Sequence, residues 1–202
     1  MIIEACPPAT RALFSFARGT AARISEVLNL KFENIKSAYV ILPKRICKGK
    51  KRTREVPMND RLRAEYERWK CHWGSKFGRP PEASDYLFPG RFGDPKEKHM
   101  TRCNADHALR KACKELNIDG ASTHSWRRTS LSNANDKGIS LAVLKSISGH
   151  SSLDMLSRYL QTSDRQRLEA ANAFGRASMQ STQPFVIRIG IFYRNLKQWI
   201  AK

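Results

Sequence analysis

Between Thr10 and Asn34 apolar residues recur at helical spacing, with Leu13, Phe16, Ile24, Val27, Leu28 and Leu30 as the inward positions. Gly19 interrupts the run and is read as the end of a first helix, with a second starting near Arg23. The pattern then shortens. Tyr39 to Leu42 is a β-rich run, and Glu55-Val56-Pro57 is another after a stretch of cations. Two short extended segments around a glycine-containing turn at Gly49 predict a β-hairpin. Asn59 to Lys76 returns to helical spacing, capped by Asn59 or Asp60, with Leu62, Tyr66 and Trp69 on one face.

Glycine and proline punctuate residues 77–97, which predicts a long loop. Helices are expected over about 99–116, 124–137, 140–147, 151–160 and 163–176, with Ser140 and Ser151 as N-caps and Gly138 and Gly149 as stops. From Pro184 the character changes to a strand-like F-V-I-R-I-G-I-F-Y and then N-L-K-Q-W-I-A-K, suited to a helical turn or two. The expected architecture is mainly α with a small antiparallel β-sheet (α+β). Residues 1–178 form its domain, and 179–202 form a tail that packs as an edge strand or docks elsewhere.

Composition adds a partner. The 202 residues, 41% of them apolar, suffice for one cored domain. Lys and Arg number 37 against 18 Asp and Glu, a formal charge of +19. Such an excess repels itself in a compact state and points to a polyanion that neutralises it. No apolar run approaches the roughly 20 residues of a membrane helix, and no secretory signal is visible, so a cytoplasmic protein is expected. The five cysteines are odd in number and contain no CxxC pair, which argues against a zinc site or a disulfide framework. No metal or cofactor is expected. Nucleic acid leads on charge, although a ribosomal or other RNA-binding protein would share this profile.

Four segments carry chemistry when taken together: Arg23 in A-R-I-S-E, the basic stretch K-R-I-C-K-G-K-K-R-T-R, His124-Ser125-Trp126-Arg127, and Gly149-His150 followed by Tyr159. Breaking a DNA strand without a metal requires stabilising the charge that spreads over the phosphate oxygens. Arginines suit this, because each planar guanidinium donates two parallel hydrogen bonds and stays charged. A tyrosine can attack and hold the DNA covalently, conserving the bond for religation. Its free pKa of about 10 calls for a base or cationic pocket, and the departing 5′ oxygen calls for an acid such as a hairpin lysine. His124 and Arg127, at i and i+3, share one helical face.

These blocks resemble the tyrosine recombinase family, which includes lambda-type integrases and Xer-type recombinases. A-A-R-I-S-E, K-G-K-K-R-T-R-E-V-P, H-S-W-R-R-T and S-G-H-S-S-L-D-M-L-S-R-Y occur in the family's order, over about residues 10–175. The resemblance implies the integrase catalytic-core fold and site-specific strand exchange through a 3′-phosphotyrosyl link. It implies that Arg23, Arg127 and His150 bind the scissile phosphate, His124 assists proton transfer, Lys48 is the general acid, and Tyr159 attacks. The implied partners are duplex DNA and further protomers, four on DNA from subunits that can be monomeric when free.

The chain departs from the family in several places. It has Gly19-Thr20-Ala21-Ala22 where the family often has Thr-Gly two residues before its first arginine, and Trp126 where leucine is common. Lys50 competes with Lys48 as the acid, Lys48 being preferred because it precedes Gly49 in a K-G-x-K pattern. The helical N-terminal domain that usually clamps the far face of DNA is expected to be missing.

Each box alone has a plainer reading. Arg23 is the kind of residue that forms a surface ion pair, Gly149-His150 could be a helix cap, and Tyr159 could be a half-buried packing residue among leucines. Lys44, Arg45, Lys50, Lys51, Arg52, Arg54 and Arg128 are read as contacts to backbone phosphates that carry no sequence information. It is the joint order and spacing that favour catalysis. Two rival functions remain: a type IB topoisomerase, sharing the chemistry, and a non-catalytic DNA-binding remnant of an integrase.

Overall fold

The computed structural model describes residues 2–47, 49, 52–157, 160 and 167–174. Residues up to 161 form one unit. Its elements are α1 (Pro8–Thr20), α2 (Ile24–Leu28), a 3-10 turn (Phe32–Asn34), β1 (Tyr39–Leu42), β2 (Arg54–Pro57), α3 (Asp60–Phe77), α4 (Arg102–Glu115), α5 (Ser125–Asp136), α6 (Leu141–Ser148) and α7 (Leu153–Ser157). In the second unit residues 167–174 are helical, within the expected 163–176. The strand-like stretch from Pro184 and the tail lie outside the described residues. No helix among the described residues is long and apolar enough to cross a membrane.

The chain is mainly helical with a two-stranded antiparallel sheet, as the periodicity predicts. Local signals account for most boundaries. Pro8 opens α1, Asn59 accepts from the Leu62 amide at 2.9 Å to cap α3, and the Ser140 side chain caps α6. Gly149 closes α6 at φ 70, a left-handed position that glycine takes without a Cβ penalty.

Two boundaries differ from expectation. Helix α1 runs through Gly19, because a side chain there would press on Leu62 Cδ2 at 2.9 Å and glycine lets α3 approach. The left-handed turn falls instead on Ala21, at φ 49. At α7 the cap is Ser152 and not Ser151, since the Ser152 hydroxyl accepts from the Met155 amide at 3.2 Å.

Helix α1 is the hub, packing on α3, α5, α2 and α4. Leu13, Phe14 and Phe16 are fully buried there beside Trp69, Trp73 and Phe88. The long loop after α3 is tied down rather than loose. Trp69 Nε1 donates to Leu87 O at 2.8 Å, and Arg79 grips buried Asp85 through both carboxylate oxygens at 2.7 and 2.9 Å. A smaller cluster of Ala21, Leu131, Leu144 and Leu156 joins α5, α6 and α7. Burial of Leu156 fixes α7, the element directly before Tyr159.

The sheet pairs Val40 with Val56 and Leu42 with Arg54. Alternate residues along a strand share a face, so Arg54 lies on the same buried side as Val56. That register carries a cation into the protein.

Candidate active site

Arg23 is the N-cap of α2, and Glu26, three residues on, folds back to it. The Arg23 amide donates to Glu26 Oε2 at 3.0 Å, and Arg23 Nη1 donates to Oε1 at 3.0 Å. This is the return half of a capping box, with the carboxylate held inside at 1% exposure. Arg54, from β2, reaches the same carboxylate, Nη2 to Oε2 at 2.5 Å. Burial raises the Glu26 pKa, but Arg54, the Arg23 amide and the Arg23 guanidinium outweigh it, so the group stays an anion below its ordinary range.

Arg127 enters from α5 at 1% exposure. Its Nη1 donates to Ala21 O at 2.7 Å and its Nη2 to Ser148 O at 2.9 Å. The left-handed turn at Ala21 therefore has a use: it presents a carbonyl to the guanidinium. Nη2 also lies 3.1 Å from Nε2 of His150, which follows the α6 stop and is 3% exposed. Ser148 Oγ stands 2.8 Å from His150 Nδ1. If Nε2 accepts from the arginine, the ring proton sits on Nδ1 and is donated to Ser148.

Burial lowers the His150 pKa to about 4, helped by Arg127, Arg23 and Arg54 and opposed by Glu26. The ring is neutral at ordinary pH. His124, exposed at the α5 N-cap, is also held below the usual range, first by partial burial and then by Arg127, Arg23, Arg102 and Arg128.

Arg23, His124, Arg127 and His150 are thus brought to one place from three distant parts of the chain. Arg23 and His150 line an open cleft of about 440 Å³, whose other walls include Glu26, Cys47, Gly49, Arg52, Arg54, Lys145, Ser151 and Met155. Arg127 sits directly behind His150. Lys48 and Tyr159 lie outside the described residues, as do Lys50 and Lys51. Among the expected phosphate contacts, Lys44, Arg45, Arg52 and Arg128 are exposed, and Arg45 pairs with Glu33 at 3.0 Å. Arg54 is the correction. At 5% exposure, bound to Glu26 and donating to Ile147 O at 2.7 Å, it is an internal strut and not a surface contact.

Sequence reasoning missed Glu26 and Ser148, although both stand inside motifs it used, R-I-S-E and S-G-H. It also missed that Trp126 stacks on Phe14 with centroids 5.3 Å apart and so anchors the start of α5 in the core. Chemically, the guanidiniums of Arg23 and Arg54 bind one carboxylate in a partly dehydrated cleft, and that of Arg127 stands behind His150. The surplus positive charge suits a phosphodiester.

A phage integrase family model matches residues 2–166. The chain belongs to the phage integrase family. A tyrosine recombinase of Pseudothermotoga lettingae is 28% identical over 157 residues, covering 74% of this chain and 48% of that protein. The chain spans about half the length of this curated relative. Among solved structures, XerA recombinase superposes with a TM-score of 0.66 at 19% identity, over 86% of this chain and 61% of that one. XerH recombinase, solved bound to its difH substrate, gives 0.63 at 19% identity, over 83% and 47%. A lambda integrase dimer on a COC′ core site gives 0.59 at 18% identity, over 82% and 46%. These likenesses show that the family member has the integrase catalytic-core fold.

Proposed function

We propose that this chain is the catalytic part of a site-specific DNA recombinase that cleaves and rejoins strands through a 3′-phosphotyrosyl intermediate. The observation that carries the reading is the convergence of Arg23, Arg127 and His150 beside one basic cleft, with His124 in the same electrostatic field. Arg23 and Arg127 donate to the nonbridging oxygens of the scissile phosphate, and His150 completes the phosphate-binding site beside them. The Tyr159 oxygen attacks phosphorus, and the bond to the 5′ oxygen breaks. The phenol proton passes to His124, which is neutral and able to take it. Lys48 gives a proton to the departing oxygen. Reversal by the 5′ hydroxyl of another strand restores DNA, with no need of metal or nucleotide.

Residues 1–178 form the catalytic domain in this reading, and 179–202 form a tail. The substrate is duplex DNA in the cytoplasm, and strand exchange requires four protomers on DNA. Lys44, Arg45, Lys50, Lys51, Arg52 and Arg128 add backbone contacts whose affinity is salt-dependent.

The test is adduct formation on a nicked suicide duplex. Wild type is expected to become covalently attached, whereas Tyr159→Phe binds with unchanged affinity and forms no adduct. An adduct that persists in Tyr159→Phe overturns the nucleophile assignment. Absence of any adduct from wild type leaves a DNA-binding protein only. Relaxation of any plasmid without recombination of defined sites favours topoisomerase-type activity.

A further inference from the structure

His150 is held between two partners of different chemistry. Arg127 Nη2 lies 3.1 Å from its Nε2 and 3.4 Å from its Nδ1, and Ser148 Oγ lies 2.8 Å from Nδ1. A guanidinium only donates, so the ring nitrogen that meets it must present a lone pair. A hydroxyl donates or accepts, so Ser148 can meet Nδ1 with or without a proton. Ser148 is fully buried, and its backbone carbonyl accepts from Arg127 Nη2 at 2.9 Å. One residue therefore aims the guanidinium through its carbonyl and the imidazole through its hydroxyl.

The hydrogens on Nη2 set the constraint. It carries two, and Ser148 O and the ring take both. An entering phosphate needs one of them, and Nε2 must then stop accepting from the arginine. Burial keeps the ring neutral, with a pKa of about 4, so what is left to change is which nitrogen holds the single proton. With the proton on Nδ1, Nε2 turns a lone pair towards a phosphate oxygen and repels it. With the proton on Nε2 the ring donates to that oxygen, and buried Nδ1 then needs a donor of its own. A carbonyl or an alkyl group beside Nδ1 supplies none, whereas the Ser148 hydroxyl does.

We propose that Ser148 is a positioning residue whose hydroxyl lets His150 exchange tautomers as a DNA phosphate enters the cleft. Without the phosphate, Nδ1–H donates to Ser148 Oγ and Nε2 accepts from Arg127. With it, the hydroxyl rotates and donates to Nδ1, while Nε2–H and the released Nη2 hydrogen turn to the nonbridging oxygens. One proton returns to water from Nδ1, one is taken from water at Nε2, and the serine keeps its own. This rests on the recombinase reading above, and within it on the cleft as the phosphate site.

The experiment records nitrogen–proton correlation spectra of the full chain, with its histidine rings isotope-labelled, at neutral pH with and without a short DNA duplex. The spectra read which ring nitrogen is protonated, and His150→Gln identifies the His150 signals. Wild type is expected to hold the proton on Nδ1 by itself and on Nε2 with DNA. Ser148→Ala removes the hydroxyl and keeps the carbonyl that holds Arg127, so its ring is expected to stay protonated on Nδ1 in both states. On a nicked suicide duplex it should form adduct about tenfold more slowly, the worth of one hydrogen bond, with DNA affinity near that of wild type. Should Ser148→Ala fail to fold, the wild-type spectra decide.

The proposal is overturned if the wild-type His150 signals move on DNA with the proton on the same nitrogen, or if Ser148→Ala exchanges tautomers as wild type does. If the duplex binds, by fluorescence anisotropy, and the His150 signals do not move at all, the cleft is not the phosphate site and the proposal falls with it. If the tautomers exchange but wild type forms no adduct, the proposal holds and the strand-cleavage reading alone is refuted.

Discussion

Arg127 Nη2 stands 3.1 Å from His150 Nε2, joining residues 23 apart in sequence inside a pocket that excludes water from both. Burial disfavours a charge on the ring, and a permanent cation so close adds to that cost, which is why the His150 pKa falls to about 4.

That contact predicts an acid-sensitive fold. Between about 6.5, the ordinary histidine value, and about 4 the unfolded chain binds a proton that the folded chain refuses, so stability is full above 6.5, falls progressively as pH drops from 6.5 to 4, and levels off below 4. The loss from this one group is at most about 3 kcal/mol. His124, shifted in the same direction, adds to it. Urea midpoints taken from pH 7.5 to 4.5 check this, and His150→Gln should flatten most of the slope. Equal stability at pH 5 and 7.5 would refute the buried neutral ring.

Removing the buried carboxylate should be severe. Glu26→Gln leaves Arg23 and Arg54 without their shared counter-charge and is expected to cost about 3–5 kcal/mol. The exposed pair of Arg61 and Glu4, at 2.9 Å, provides the contrast: Glu4→Gln should change stability by less than about 1 kcal/mol. Chemical denaturation of both variants gives the comparison.

Ala21 sits at φ 49 and uses its carbonyl to hold Arg127. Ala21→Gly relieves the left-handed strain but loses a buried methyl and gains unfolded-state entropy, so it should stay within about 1 kcal/mol of wild type. Ala21→Val places a branched Cβ in the same turn and should cost about 2 kcal/mol or more. Melting curves distinguish the two, and similar losses for both would mean that the turn is not strained.

Truncating Trp126 removes the ring stacked on Phe14 and should cost about 3–5 kcal/mol as Trp126→Ala. Trp126→Leu refills much of the volume and should cost less than half of that. Thermal unfolding measures the difference.

DNA binding should depend on exposed cations singly and evenly. Arg52→Gln and Arg128→Gln are each expected to weaken duplex affinity to a similar degree on any sequence. Each should also reduce the slope of log affinity against log salt by about 1. Fluorescence anisotropy titrations at several salt concentrations provide the slopes. A loss confined to one sequence would instead mark a base contact.

Most of the fold was legible along the chain. Asn59 and Ser140 cap the helices they were expected to cap, and Gly149 stops α6, because a cap is completed within a few residues of itself. The hairpin followed from two β-rich runs, and its inward face could have been read further: with Val56 buried, alternation puts Arg54 inside as well. Reading cations as a solvated surface hid this. Gly19 was misread for a related reason, since it serves a close approach by Leu62 and not a turn.

The order of helices, the small sheet, and the presence of the right chemical groups in the right order were all determined by the sequence itself, through periodicity and caps that act over one or two turns. What only the tertiary structure decided is how those groups are held. Arg54 is internal because its partners Glu26 and Ile147 O come from 28 and 93 residues away, and Arg127 is aimed by a carbonyl 106 residues upstream. A buried charge is tolerable only where opposite charge and hydrogen-bond acceptors already surround it. That surrounding exists in the folded packing and in no local stretch of chain.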